Sequence, residues 1–332
     1  GGGVGGGGGV RFFIHAPSRL KNLIESALYA QYPDAEINEV VDYTQELPSL
    51  LPNAIYDVSG VGLTLAKDSY YPIRTYEYFE DSIDERRLDP MGPLIEVMAN
   101  LKTEERLWIQ VLISPTGAAA GNDWQGEGQK KVEEIAGRKG KSESKENQFF
   151  LFIENLVKAP FQPPDWGGNK EEKADAPRFL HSGEQDIIKA INNKIARQGF
   201  ETLVRIIYID RRDSFSPANF AATLAWFQQF NIQNMNSFKI IAAMGTLVSG
   251  WTARYFSKYK EMKEFSRKRK IFDAYRYRRF GMYNKLRTEK FGILTPEELA
   301  TIYHFPTSAV ATPRLTRLET KKGGPPAELP IE

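Results

Sequence analysis

The feature that most constrains the fold is a pair of long apolar runs rich in β-branched and aromatic residues. The first is LWIQVLI at 107–113, and the second lies in ETLVRIIYID at 201–210. Residues of these types favour extended strands, where their side chains pack against cross-strand neighbours. We therefore predict a strand at each run, with 107–113 as a central strand.

Helical patterns lie between the predicted strands of the first third of the chain. One helix begins near Pro17, and its apolar residues recur at helical spacing: Leu20, Leu23, Ile24, Ala27 and Leu28. A second helix is capped by Asp89, with a stripe of Leu94, Val97, Met98 and Leu101. Further strands are predicted at 10–15, 35–43 and 73–79, with a hairpin around Ser59 and Gly60. This order predicts a ferredoxin-like layer of helices on one face of a sheet.

A related pattern surrounds the second apolar run. A helix is expected from Ser182 to Gly199, another from Ser216 and Pro217, and a third across 258–278. Thr295 to Glu298 form a capping box with proline at the first helical position, which is a strong signal for a helix start. These elements indicate a second α+β module.

The predicted fold class is α+β, with two ferredoxin-like α/β modules whose sheets are antiparallel or mixed, a basic helical segment and an extended C-terminal linker. The predicted divisions are a glycine-rich tail at 1–9, a first module at 10–120, a partly disordered insertion or linker at 121–182, a second module at 183–310 containing the basic segment 254–290, and a linker at 311–332. Glycine-rich sequence has no side chains to bury, so residues 1–9 are left out of the fold prediction. The apolar stretch FFLFIENLV at 149–157 suits either a core element or a contact with a membrane surface.

Several classes of chemistry have no support in the sequence. The chain has no cysteine, which excludes disulfides, cysteine nucleophiles and thiolate metal sites. Its three histidines, His15, His181 and His304, are far apart and lack metal-ligand spacing. The GKS triplet at 140–142 is preceded by Ile135 where a phosphate-binding P-loop requires glycine. We therefore predict no catalytic, cofactor-binding or metal-binding residues in this chain.

The strongest compositional signal is a basic segment rich in aromatic residues. Residues 254–290 contain fourteen lysines and arginines against four acidic residues, whereas the remainder of the chain has a net charge of −8. Nine aromatic residues lie among these positive charges. Cationic side chains can neutralise phosphates, and exposed aromatic rings can stack on bases.

Three interpretations of this segment stay open. It is a solvated basic helix whose aromatic residues face the core, a nucleic-acid-binding surface, or a contact with anionic lipid headgroups or an acidic protein. For nucleic-acid binding, the candidate residues are those of its densest part: Arg267, Lys268, Arg269, Lys270, Arg276, Arg278 and Arg279.

Several strings of this sequence resemble one known family. They are RFFIHAP, LYAQYPDAEINEVVDY, YPIRTYEYFED, LWIQVLI, RKRKIFDAYRYRRF, LTPEELATIYHFP and ETKKGGPPAELP. Together they resemble the N-terminal region of large type IV secretion or conjugation-type ATPases of the HerA–FtsK kind, found especially in candidate phyla radiation bacteria. The resemblance extends from about Val10 to Pro330, and its most specific parts are AQYPDAEI, PIRTYEYFED and EELATIYHFP.

The resemblance implies a non-catalytic platform at the cytoplasmic face of the bacterial inner membrane. Members of the family have a hydrophobic helical anchor before this region and a RecA-like P-loop ATPase domain after it. The expected partners are therefore that motor domain, the membrane through the anchor, further copies of the chain, and DNA. This sequence departs from the pattern, because a glycine run stands where the anchor is expected, Walker motifs are absent and the Lys/Glu-rich stretch at 137–147 is less typical. ATP hydrolysis is therefore assigned to no residue here.

Three functions follow as hypotheses. The first is the N-terminal platform of a secretion or conjugation ATPase, which couples the motor to the envelope and guides DNA or protein substrate. The second is a stand-alone nucleic-acid-binding module that uses residues 254–290. The third is a scaffold subunit of an envelope complex.

Overall fold

A computed structural model describes residues 2–3, 9–33, 35–79, 89–116, 123–137, 181–248, 256–281 and 291–306 of the 332-residue chain. The helices of this part are α1 (Lys21–Gln31), α2 (Gly92–Ala99), α3 (Trp124–Ile135), α4 (Ser182–Ile195), α5 (Ala218–Trp226), α6 (Ser257–Arg276) and α7 (Pro296–Ile302). The strands are β1 (Gly2–Gly3), β2 (Arg11–Phe12), β3 (Tyr56–Leu65), β4 (Arg106–Pro115), β5 (Phe200–Arg211), β6 (Phe238–Ile240) and β7 (Gly292–Leu294).

All of these strands belong to one antiparallel sheet. Its order is β2-β1-β4-β5-β3-β6, and β7 pairs with the start of β5. The pairing of β4 with β5 is the longest, running from Arg106 opposite Ile209 to Pro115 opposite Phe200. On one side, the long strand β5 pairs with β4. On its other side, β5 pairs with β7 at residues 200–202 and with β3 at residues 204–211.

The sheet is covered on both faces, which explains why β5 is a continuous apolar run and does not alternate. One face packs against α2, α5 and α7, with Val204, Ile206 and Tyr208 contributed by β5. The opposite face packs against α6, with Leu203, Ile207 and Ile209 contributed by β5. Successive residues of β5 thus enter two different cores, and residues 202–210 are all buried.

The predicted α+β class is confirmed, whereas the two ferredoxin-like modules are not. Strands from the predicted first module, β3 and β4, pair directly with β5 from the predicted second module. The two sets of strands share one sheet because the most apolar strand needs neighbours on both sides and a core on both faces. Helix α3 lies within the predicted insertion at 121–182, and the linker at 311–332 lies outside the described residues.

Three local predictions are wrong. The expected hairpin at Ser59 and Gly60 is the middle of β3, where glycine allows a close approach of neighbouring atoms instead of a turn. Residues 35–42 form no strand and lead into a 3-10 turn at Tyr43–Glu46. The predicted strand at 73–79 contains a 3-10 turn at Tyr76–Tyr78, with two of its tyrosines exposed.

Other local predictions are confirmed. The central strand at 107–113 lies within β4, and the stripe of α2 buries Leu94 and Met98. Thr295 and Glu298 form the predicted capping box at the start of α7. The stretch 149–157 lies outside the described residues, so its two interpretations stay predictions.

Candidate functional site

Helix α6 carries most of the described part of the basic segment, and only its C-terminal end has buried side chains. The buried residues of α6 are Ile271, Phe272, Ala274 and Tyr275. The anchor depends on a close approach to β3, because a Cβ at Gly60 would lie 3.0 Å from the Ile271 side chain and 3.1 Å from the Ile206 carbonyl oxygen. The sequence therefore places glycine where the helix rests on the sheet.

A buried arginine holds the C-terminal end of α6. The guanidinium of Arg205 donates to Gln110 Oε1 at 2.8 Å, to the Ala274 carbonyl at 3.0 Å and to the Arg279 carbonyl at 2.6 Å. Carbonyl groups at a helix C-terminus carry partial negative charge, which favours a cation there. Burial lowers the pKa of Arg205 to about 10, so the side chain is still protonated at neutral pH.

An aromatic cluster lies beside this arginine. The hydroxyl groups of Tyr43 and Tyr275 are hydrogen-bonded at 2.8 Å, and Trp108 stacks on Tyr275 with ring centroids 5.6 Å apart. Burial, together with the neighbouring Tyr43, raises the pKa of Tyr275 well above its usual value. These contacts join α6 to β4 and to the segment that precedes β3.

Three of the seven predicted binding residues form ion pairs within the protein. Lys268 Nζ lies 2.8 Å from Asp57, Arg278 Nη1 lies 2.7 Å from Asp42, and Arg279 Nη2 lies 2.9 Å from Asp273. The sequence prediction assigned each of these three cations to a nucleic-acid ligand, but in the structure each one is paired with a carboxylate of the protein itself.

The Asp42 pair has a clear electrostatic effect. Partial burial alone would raise the pKa of Asp42, but the hydrogen bonds from Arg278 and Thr44 outweigh it and lower the pKa to about 2. Arg278 itself has a φ of 52°, a backbone conformation that side chains other than glycine rarely adopt. The pair with Asp42, together with the backbone hydrogen bond to the Tyr275 carbonyl, holds Arg278 just after the end of α6.

The other four predicted residues differ in their surroundings. Arg267 donates to the carbonyl oxygens of Gly245 and Leu247, so it also supports the fold. Arg269 is exposed, and its guanidinium lies 4.8 Å from the ring centre of Phe265. Lys270 and Arg276 are half-buried. The predicted set thus does not form one continuous outward surface.

The N-terminal part of α6 presents a different surface. No residue of 257–270 is buried, although several of them are large and apolar. Met262 is 66% exposed, and Tyr259 and Phe265 are each 42% exposed. The expectation that the aromatic residues of this helix face the core therefore holds for Phe272 and Tyr275 but is wrong for Tyr259 and Phe265.

Cations and apolar side chains occur together on this surface. Lys258, Met262, Phe265 and Arg269 follow one another at steps of four, three and four, so they lie in one row along the helix. Beside that row, the Lys263 ammonium lies 5.3 Å from the ring centre of Tyr259. We name these six residues the aromatic-basic face: Lys258, Tyr259, Met262, Lys263, Phe265 and Arg269.

Five members of the aromatic-basic face were not among the predicted binding residues. The prediction selected the densest run of charge, and dense charge marked the part of α6 that reaches internal carboxylates. The signal that could have found the face is a cation placed four residues after an aromatic residue, as in Tyr259 and Lys263 and in Phe265 and Arg269. Arg269 alone belongs to both sets.

The described residues offer little support for other kinds of site. Among them, no group of three or more histidine, aspartate or glutamate side chains is arranged to hold a metal ion. Glu105 and Asp210 are buried carboxylates, and both accept a hydrogen bond from Tyr208, which places them in the core. Over the same ranges, no helix is long and apolar enough to cross a membrane.

Comparison with known proteins gives one result. No curated protein and no solved structure matches the chain significantly. A family model described as a domain of unknown function, DUF8128, matches residues 6–317, which include every helix and all but the first strand that the structure describes. The chain therefore belongs to the DUF8128 family.

Proposed function

We propose that this chain is a non-catalytic platform domain of a membrane-associated ATPase of the type IV secretion or conjugation kind. In this role it connects the motor to the envelope and guides DNA or protein substrate. Its partners are a P-loop ATPase domain on the same polypeptide, further copies of the chain, and the inner membrane, on whose cytoplasmic face it works. The resemblance of its sequence strings to that family supports the proposal.

The observation that carries this proposal is the division of α6 into an anchored end and an uncovered end. Arg205 and Gly60 fix the C-terminal end on the central sheet. The N-terminal part leaves aromatic and basic side chains exposed on a rigid support. A surface of this kind suits binding, because its side chains are already positioned when a ligand arrives.

A second candidate function is a scaffold subunit, and α1 favours it. No residue of α1 is buried, and Leu23 is 67% exposed within the apolar stripe that the sequence predicts. Val41, in the segment that the Lys21–Glu39 ion pair joins to α1, is 78% exposed. If the chain is a scaffold subunit, its molar mass in light scattering should rise with protein concentration. Leu23→Asn should reduce that rise. A mass that stays monomeric at all concentrations would contradict self-association.

The platform proposal is tested by the native polypeptide itself. Mass spectrometry of cells that make the protein should detect a chain much longer than 332 residues. Its additional peptides should include a GxxxxGK[ST] motif, the phosphate-binding signature of the motor. A native chain that ends near Glu332 would refute the platform proposal and leave a scaffold or nucleic-acid-binding subunit.

A further inference from the structure

We infer that the aromatic-basic face of α6 binds single-stranded nucleic acid. Bases would stack on Tyr259 and Phe265, and phosphates would lie against Lys258, Lys263 and Arg269. The inference rests on the proposed function in one respect, since it names nucleic acid as the substrate that the platform guides. It assigns the binding to a surface that shares only Arg269 with the dense run of charge at 267–279.

The net positive charge of this part of α6 favours an anionic ligand. Residues 257–270 contain seven lysines and arginines and two glutamates. One of these glutamates, Glu264, accepts a hydrogen bond from the Val248 amide and lies 4.0 Å from Lys260, so it is used within the protein. Lys258 and Arg269 are exposed at the two ends of the row, and the half-buried Lys263 lies beside it, so that all three can neutralise phosphates there.

The aromatic rings of Tyr259 and Phe265 favour a ligand that also carries flat apolar groups. Each ring has a cation close to it, at 5.3 Å for Lys263 and Tyr259 and at 4.8 Å for Arg269 and Phe265. A single strand presents a phosphate and an unpaired base at each nucleotide, and proteins bind it by combining stacking with basic side chains. Duplex nucleic acid keeps its bases stacked inside, so it would use the cations of the face but not the rings.

The arrangement of the face argues against a lipid bilayer. A helix that lies in a membrane interface has its apolar residues on one side and its charged residues on the other. In α6 the row from Lys258 to Arg269 has a cation at each end and Met262 and Phe265 between them. An apolar stripe flanked in this way brings charges close to the acyl region when it enters, whereas a nucleotide chain meets both types of side chain.

Fluorescence anisotropy of a labelled dT12 oligonucleotide with the full chain tests the inference. The wild-type affinity should fall with salt, with a log–log slope of about −2 for three phosphate contacts at roughly −0.7 per contact. The charge variant Lys258→Gln, Lys263→Gln, Arg269→Gln should flatten that slope. The ring variant Tyr259→Ala, Phe265→Ala should keep the slope but bind at least about tenfold more weakly, because each stacked base contributes substantially to affinity.

Matched controls remove the same groups from other exposed positions. Lys102→Gln, Lys130→Gln, Lys189→Gln removes three charges, and Tyr29→Ala, Tyr76→Ala removes two exposed rings. Both control variants should bind dT12 as the wild type does. Circular dichroism and the midpoint of urea unfolding should be unchanged in all four variants, which shows that any lost binding is not caused by unfolding.

Four results would overturn the inference. They are no binding of dT12 by the wild type at low salt, equal losses in the control and face variants, an equal loss of dT12 binding and of 12-base-pair duplex binding in the ring variant, and a face variant that loses binding to phosphatidylserine vesicles but keeps its binding of dT12. The last result would assign the face to a membrane. Failure of dT12 binding leaves the length of the native polypeptide unaffected, so the platform proposal is tested separately.

Discussion

The ammonium of Lys194 lies 3.0 Å from a carboxylate oxygen of Glu298, and each of the two side chains is only 2% exposed. The same carboxylate accepts hydrogen bonds from the backbone amides of Ile73 and Thr295, both at 2.9 Å. Lys194 also donates to the Tyr71 carbonyl. This pair therefore joins α4, the start of α7 and the segment after β3. Burial lowers the pKa of Lys194, and the nearby Glu298 opposes that change.

Replacing Lys194 should be strongly destabilising. Lys194→Met leaves the buried Glu298 carboxylate without its cation, and loss of one partner of a buried pair costs about 3–5 kcal/mol of unfolding free energy. Urea unfolding measures the change. The control Lys189→Met removes an exposed lysine from the same helix and should change stability by less than about 0.5 kcal/mol. Equal stability of the two variants would show that the pair is not important to the fold.

A side chain at Gly60 should displace α6 from the sheet. Gly60→Val places its side chain against Ile271 and the Ile206 carbonyl, and overpacking of this kind costs about 1–3 kcal/mol. Gly183→Ala in α4 meets nothing within 4 Å and should be neutral or stabilise the protein by up to about 1 kcal/mol. The unfolding midpoints of both variants measure these changes in stability. A wild-type midpoint for Gly60→Val would contradict the close contact between Gly60 and Ile271.

Arg205 should be needed to hold the end of α6. Arg205→Met keeps an apolar stem but removes the donor to Gln110 Oε1 and to the Arg279 carbonyl, and each buried acceptor left without a donor costs about 1–3 kcal/mol. The control Arg211→Met lies at the exposed end of the same strand and should change stability little. Near-ultraviolet circular dichroism should also change for Arg205→Met, because Trp108 and Tyr275 pack beside it. Unchanged stability and spectrum would refute this role.

His304 should make stability depend on pH. Burial opposes protonation of its imidazole, but the Asp89 carboxylate at 2.9 Å and the Ala300 carbonyl raise the pKa above its usual value. A raised pKa in the folded state stabilises the protein fully below the unfolded value of about 6.5, and this stabilisation is lost as pH rises through the folded value. The difference in unfolding free energy between wild type and His304→Gln should therefore shrink from pH 5.5 to pH 8.5. A difference that does not vary with pH would exclude this role for His304.

The sequence was most informative where a pattern is local. The apolar run at 107–113, the stripe of α2 and the capping box at Thr295 follow from spacing within a dozen residues. The single sheet could not be predicted in this way, because β4 and β5 pair across about ninety residues of sequence. The glycine in β3 was misinterpreted for the same reason, since its neighbour Ile271 lies far along the chain.

The candidate site shows the same limit. Composition identified the basic and aromatic segment, but it could not separate internal charges from outward ones. Lys268 and Arg278 reach carboxylates that lie 211 and 236 residues away in sequence. The choice of the densest charges therefore favoured residues that support the fold, and the exposed row of α6 became recognisable only with the helix in place on the sheet.

Hydrogen exchange followed by mass spectrometry tests the central claim most directly, namely that α6 is anchored at one end and binds nucleic acid with the other. In the free protein, amides of 271–276 should exchange slowly and those of 257–270 faster, because only the former segment has buried side chains. Addition of dT12 should slow exchange in 257–270 and leave 271–276 unchanged. Equal exchange along the whole helix in the free protein, or protection by dT12 that appears only elsewhere in the chain, would contradict the account.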